Sequence, residues 1–263
     1  MIPYHGTPIT PESAAAEILR GRHAMISFAR PDQLTLVQHV CQSFAVDNGA
    51  FSTWKTGRTF DDMAYWDFIQ SLAHHPCFDW CLIPDVIEGS EAENDAKVEA
   101  WDMAPDLSVP VWHLHESMER LRRLSTCFPR VALGSSAQYA TIATTAWWER
   151  MALAMAACCD PDGKPLCKLH GLRMLDPKVY GAFPFSSADS TNIARNIGIN
   201  QKWTGSYSPI SKAARGIVLA GRIESQQSPA TWRPYAQHPR RTVQNHNNLP
   251  EDRADMDPNL CAG

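Results

Sequence analysis

A small set of residues with chemical capacity recurs at the ends of short apolar runs: Asp47-Asn48-Gly49, Asp85, His113 with His115, Gly134-Ser135-Ser136, His170-Gly171 and Asp189-Ser190-Thr191. Two chemistries fit these residue types. The first is metal-assisted hydrolysis. His113 and His115 are two apart, so on a strand both imidazoles point to one side, and His170 with Asp189 completes a ligand set whose carboxylate also serves as base. The second is covalent glycosyl transfer, in which one carboxylate attacks an anomeric carbon and another group moves protons on the departing and incoming bases. Spacing leaves both open. Each residue also has a plain structural role. Asp47-Asn48-Gly49 is a good tight turn, Asp85 after Pro84 can cap a loop, His170 can be a hydrogen-bonded core residue, and Asp189 sits where it can cap a helix through Thr191 or Asn192. The functional reading rests on their common placement.

That placement depends on the elements that carry them. The apolar runs are Ile2–His5, Ala24–Phe28, Ser43–Asp47, Phe78–Asp85, Val109–His115, Arg130–Gly134, Leu166–His170 and Phe183–Asp189. Most are too short for helices and read as buried parallel strands. Helical stripes lie between them. Thr59 is placed to cap a helix with Tyr65, Phe68, Ile69 and Leu72 on one face. Met118, Leu121 and Leu124 form a second stripe with Arg120, Arg122 and Arg123 outside it. Trp147, Met151 and Met155 form a third. Pro209 opens a last helix with Ile210, Ala213, Ala214 and Ile217 on one side. Weaker helices fit Pro11–Arg20, Asp32–Val40, Glu91–Trp101 and Ser190–Ile197. Eight strand–helix units within residues 1–225 predict an α/β fold, a (β/α)8 barrel of the TIM type, with a doubly wound open sheet as the competitor. Neither Gly-x-Gly-x-x-Gly after the first strand nor a P-loop lysine supports a nucleotide-binding version of that competitor. In such a barrel the strand ends converge on one face, where active sites are built.

Composition narrows the class. The chain has 263 residues, 44% hydrophobic and 20% charged, which excludes a fibrous or disordered protein. A net charge of −4 excludes a generic polycation, so any polyanion must be held by a local basic surface. No apolar run approaches a membrane span, and Met1-Ile2-Pro3-Tyr4-His5-Gly6 lacks a signal-peptide layout, so a cytoplasmic protein with no membrane partner is expected. The eight cysteines are scattered, as reduced buried hydrophobes are, and only Cys77-x3-Cys81 approaches a metal pair. Residues 226–263 hold five prolines and few aliphatic side chains, and Arg233, Arg240 and Arg241 precede the acidic Glu251, Asp252, Asp255 and Asp257. An irregular or disordered tail is expected there, with the single barrel domain confined to 1–225.

The ordered strand ends resemble those of a known family. Phe44-Ala45-Val46-Asp47-Asn48-Gly49-Ala50-Phe51 is similar to the Asp-Ser-Gly-Gly-Phe segment of the queuine and archaeosine tRNA-guanine transglycosylases. It is closer still to their shorter phage relatives, which place 7-deazaguanine bases into DNA. Ile83-Pro84-Asp85, Val111-Trp112-His113-Leu114-His115-Glu116, Ala132-Leu133-Gly134-Ser135-Ser136, Lys168-Leu169-His170-Gly171-Leu172 and Ser187-Ala188-Asp189-Ser190-Thr191 follow in the family's order.

The resemblance implies a pentosyltransferase that exchanges guanine in nucleic acid for a free 7-deazaguanine base. It implies Asp189 as the nucleophile at C1′, Asp47 as general acid/base at the purine, and Asp85 as the carboxylate on the Watson–Crick edge. It places His115 near a base-touching glutamine, Gly134 and Ser135 at the turn that meets the purine carbonyl, His170 and Gly171 in a base-binding segment, and Arg195 on a phosphate. The tRNA enzymes carry a Cys-x-Cys-x-x-Cys cluster with a histidine for zinc, and after Cys167 only Cys261 remains here. Zinc is therefore not expected, no other cofactor is implied, and DNA is preferred to tRNA as the nucleic-acid partner. The target guanine must then be flipped out or unpaired. Arg120, Arg122, Arg123 and Lys212 join Arg195 as candidates for backbone contact. The oligomeric state stays open, a homodimer included, and so does the metal-hydrolase alternative on His113, His115, His170 and Asp189.

Overall fold

The computed structural model describes residues 1–198 and 209–234. Each expected apolar run forms a strand: β1 Ile2–Gly6, β2 His23–Ser27, β3 Ser43–Asp47, β4 Phe78–Leu82, β5 Ser108–Val109, β6 Val111–His113, β7 Arg130–Gly134, β8 Lys168–Gly171 and β9 Ser187–Ser190. All pairings are parallel, in the order β5-β4-β3-β2-β1-β9-β8-β7-β6. β5 and β6 are two halves of one strand parted at Pro110. On one side Ile83 N–H donates to Val109 O at 2.9 Å, and on the other Ala132 N–H donates to Pro110 O at 3.0 Å. Pro110 has no N–H to return, which interrupts the ladder without moving the chain out of it. Nine segments are thus eight strands, and the sheet comes round as a (β/α)8 barrel of the TIM type.

The helices are α1 Glu12–Leu19, α2 Leu34–Val40, α3 Ala50–Lys55, α4 Asp62–Leu72, α5 Glu91–Ala100, α6 Met118–Cys127, α7 Thr145–Cys158, α8 Pro177–Tyr180, α9 Asn192–Asn196 and α10 Lys212–Glu224. The longer apolar ones, α1, α4, α6, α7 and α10, pack their buried faces on the outside of the sheet. Tyr65, Ile69 and Leu72 of α4 and Trp147, Met151 and Met155 of α7 are buried as expected. The barrel interior is filled by Tyr4, Met25, Ala45, Trp80, Leu82, Val109, Val111 and Ala132.

Three helix expectations need correcting. Thr59 does not cap α4. Asp61 does, its Oδ1 accepting Ala64 N–H at 3.0 Å, since a carboxylate two residues nearer the first turn meets the orphan amide directly. Ile210 is 97% exposed, and the buried face of α10 is Ala213, Gly216, Ala220 and Ile223. The helix starts after Ser211, whose hydroxyl caps Ala214 N–H, and its small residues let it approach α1 closely. Arg120 is not on a solvated face. It is fully buried and donates to Glu116 Oε2 at 2.6 Å and to Asp95 Oδ1 at 2.8 Å. Among the other basic candidates, Arg123 pairs with Asp95.

The compact unit runs from Met1 to Arg233, past the expected boundary at 225. Trp232 N–H donates to Gly163 O at 2.7 Å, and the N-terminal amine donates to Gln227 Oε1 at 2.7 Å. The rest of the expected irregular tail, with Arg240, Arg241 and Cys261, lies outside the described residues. Among those residues no helix is long and apolar enough to cross a membrane.

Candidate active site

Parallel pairing brings the carboxyl ends of all strands to one rim. The register sets Ser27 beside Asp47, His113 beside Gly134 and Tyr4 beside Asp189. There a cavity of about 380 Å³ opens. Asp47, Asp85 and Asp189 line it, with Gly134, Ser135 and His113, and Arg195 stands at its edge. Most of the strand-end residues are therefore gathered in one place.

The three carboxylates have different surroundings. Asp47 ends β3 and accepts Ser27 Oγ–H at 3.0 Å. Burial pushes its carboxyl up to about 7, the charge of Asp189 adds to this and Asp85 adds less, while the Ser27 hydrogen bond opposes them. Its chain direction is set by Asn48 and Gly49. Gly49 takes φ +78°, and a Cβ there would lie 2.9 Å from Ala29 N, so the turn needs glycine on both counts. Asn48 Nδ2–H donates to Ile83 O at 2.8 Å and Asp85 Oδ1 at 2.7 Å, and Asn48 Oδ1 accepts Ala50 N–H at 2.8 Å. One side chain thereby ties the β3 turn to the β4 loop.

Asp85 is backed by a buried chain of charge. Its Oδ2 meets His113 Nε2 at 2.8 Å, and His113 Nδ1 faces Glu116 Oε1 at 3.5 Å. Glu116 also accepts His113 N–H at 2.9 Å, Asn94 Nδ2–H at 2.9 Å and the Arg120 guanidinium. Burial on its own would lower the His113 imidazole, but the hydrogen bonds and charges of Asp85 and Glu116 outweigh it and raise the ring to about 9. Burial would raise Glu116, but His113 and Arg120 hold it below the ordinary carboxylate range.

Asp189 lies near the end of β9 and is not a helix cap. Asn192 N–H goes to Ser190 Oγ instead, at 2.9 Å. Asp189 Oδ1 accepts Arg173 N–H at 2.8 Å and is 3.4 Å from His170 Nε2. His170 is fully enclosed, with Nδ1 on Ser187 Oγ at 2.9 Å and the rings of Trp80 and Tyr4 edge-on to it. Burial lowers its pKa, and Asp189 opposes this only in part, so the ring beside Asp189 is neutral at pH 7.

His115, His170 and Gly171 do not line the cavity. His115 lies beyond β6, stacked on His113 with centroids 5.6 Å apart, and hydrogen-bonds Ser136 Oγ at 2.7 Å. Gly171 packs from behind, where a Cβ would come within 2.9 Å of Met174 and Phe185. The four residues of the metal alternative fall into two separate pairs, His113 with His115 and His170 with Asp189. Among the described residues no group of three or more His, Cys, Asp or Glu is arranged to hold a metal ion.

The cavity also uses residues the spacing did not single out. Arg173 supplies the amide to Asp189, donates from Nη2 to Ser135 O at 3.0 Å and lays its guanidinium 4.5 Å from the Phe51 ring centroid. Arg30 and Lys55 complete the basic edge. The only sequence signal for Arg173 was its position just after His170-Gly171-Leu172. The charge pattern is thus acidic at the floor and basic at the lip. A scan against protein-family models and a search of curated proteins return no match to this chain, so the residues of this cavity carry the functional reading.

Proposed function

We propose that the chain is a base-exchange glycosyltransferase that replaces guanine in nucleic acid, DNA in preference to tRNA, with a 7-deazaguanine. The supporting observation is that Asp47, Asp85 and Asp189 share one cavity while their surroundings suit three different tasks. Asp189 attacks C1′ of the flipped nucleotide. The C1′–N bond breaks, and its electron pair leaves with the purine, which takes a proton from Asp47. The free 7-deazaguanine then gives its N–H proton to Asp47 and attacks C1′, and the ester bond to Asp189 breaks to restore the carboxylate. A group near pH 7 in its titration suits this two-way traffic. Asp85 is held as an acceptor by His113 and Asn48, which suits the N–H donors of a 2-amino-4-oxo purine edge. Gly134 and Ser135 lie at the cavity wall for the purine carbonyl, and Arg195 at the edge suits a phosphate.

The test is incorporation. Protein is incubated with DNA or tRNA and labelled guanine or 7-deazaguanines, and label in the polymer is counted. Exchange is expected with the unaltered chain and is lost in Asp189→Ala and Asp47→Ala. Full exchange by Asp189→Ala removes it as nucleophile. Exchange with neither polymer removes the activity.

A further inference from the structure

We propose that the lip of the cavity formed by α3 is a landing surface for the unpaired strand on either side of the target nucleotide, with Trp54 as the stacking platform for a flanking base. This rests on the base-exchange reading and adds the form of polymer that the site accepts.

The observation is an exposed aromatic pair beside the cavity; among the described residues no other phenylalanine, tyrosine or tryptophan is exposed. Trp80, Trp112 and Trp147 are fully enclosed, whereas Trp54 and Phe51 are 46% and 39% exposed. Both lie on α3, one turn apart, with ring centroids 5.6 Å apart. α3 starts directly after the Asp47-Asn48-Gly49 turn, so its position relative to the floor is fixed by the same Asn48 hydrogen bonds that hold Asp85. Phe51 is at the cavity wall and already covered on one side by Arg173. Trp54 is not itself a lining residue, but its ring packs against that of Phe51, which is, so it continues the aromatic surface outward from the cavity wall.

Charge selects the occupant. Lys55, Arg173 and Arg195 stand on the lip, and three carboxylates stand on the floor. A nucleotide has the matching polarity: a neutral base with N–H donors to enter, and an anionic phosphate that the floor repels and the lip holds. An acidic peptide has its negative charge on the part that would enter. The net charge of −4 makes this basic lip a local feature rather than part of a general one. Flat rings interleaved with cations are what an unpaired strand uses, because every base has a face to stack while a duplex hides its faces.

The test is fluorescence anisotropy of an end-labelled guanine-containing oligonucleotide, single-stranded and as a duplex, with Asp189→Asn protein so that no covalent step intervenes. The single strand is expected to bind more tightly. Trp54→Ala should weaken it about five- to hundredfold, and Trp54→Phe should recover most of that loss. Lys55→Gln should lower the slope of log K against log salt by about 0.7, whereas Trp54→Ala should leave the slope unchanged. Equal affinity of Trp54→Ala and parent, preference for duplex, or equal binding of polyglutamate overturns the landing surface. Trp54-dependent binding by a chain that exchanges no base upholds the surface and removes the base-exchange reading instead.

Discussion

The Asp85 carboxylate and the His113 imidazole meet at 2.8 Å, and the far side of the same ring faces Glu116. As an imidazolium the ring donates to both carboxylates, so one buried cation serves two buried anions and orients the carboxylate that lines the cavity. The pairing, with Asn48 on the other oxygen, fixes the orientation in which Asp85 meets the cavity.

The pairing has a pH signature. The ring's folded pKa, about 9, lies above its ordinary 6.5, so its stabilisation is complete below pH 6.5 and is lost as pH rises through 9. Unfolding free energy should fall over that window by at most about 3 kcal/mol, at roughly 1.4 kcal/mol per pH unit. His113→Gln should flatten the window, and His113→Leu, which leaves the buried Asp85 without its charged partner while Glu116 keeps Arg120, should cost about 3–5 kcal/mol at pH 7. Urea unfolding at pH 6, 7.5 and 9 reads both. An unchanged slope in His113→Gln removes the imidazolium.

Asp47 acts in a lower window. Its folded pKa is about 7 against an ordinary 3.8, so the folded chain holds a proton that the unfolded chain has released, and stability falls as pH rises from about 4 to 7. Asp47→Asn should abolish that fall. At pH 8 it should raise stability by about 1–2 kcal/mol, or roughly 2–8 °C in melting temperature, the cavity's solvent holding the gain below the full shift. On the base-exchange reading, purine release by the parent should also decline above about pH 7. Melting curves of parent and variant at pH 5 and 8 decide the first point.

Asn48 makes its contribution as a donor. Asn48→Asp keeps the shape but gives up both Nδ2 bonds and sets a second carboxylate where Asp85 now receives a hydrogen bond. It should cost at least as much as Asn48→Ala, about 1–3 kcal/mol at pH 8, and less at pH 5, where the new carboxyl can hold a proton. Thermal unfolding of the two variants at both pH values gives the order. Asn48→Asp as stable as the parent at pH 8 would contradict it.

Gly216 tests the seam between α10 and α1. A Cβ there would lie 2.2 Å from Ile18 Cδ1 in a fully buried contact. Gly216→Val should destabilise by about 1–3 kcal/mol despite leaving a helical glycine behind. Adding Ile18→Ala should recover part of that loss, and a double-mutant cycle measures the coupling. Strictly additive effects would mean that the two helices do not press on each other.

The barrel was legible because most strands are short, buried apolar runs closed by a polar or glycine residue, and Asp47, Asp85 and Asp189 stand at or just past strand ends. What failed was tertiary. Arg120 sits among arginines and reads as solvated, and its burial depends on Glu116 and on Asp95, 25 residues upstream. The resemblance sets His115 near a base-touching position, but the strand stops at His113, where Glu116 N–H turns back to His113 O at 2.9 Å, and the His115 ring stacks on His113 outside the cavity lining. Ile210 fits the buried stripe by spacing, but the helix begins only after it. Arg173 reaches the cavity through a backbone φ of +59°, which its residue type does not announce.

The first strand lies between the second and the last, pairing Ile2 with Ser187 and His5 with Ser190. During translation one edge of β1 therefore waits for a partner 185 residues later, on the order of 10–40 s at ordinary elongation rates. The floor of the cavity waits with it, because Asp189 arrives on the strand that closes that gap. A nascent chain carries Asp47 and Asp85 long before it carries a site.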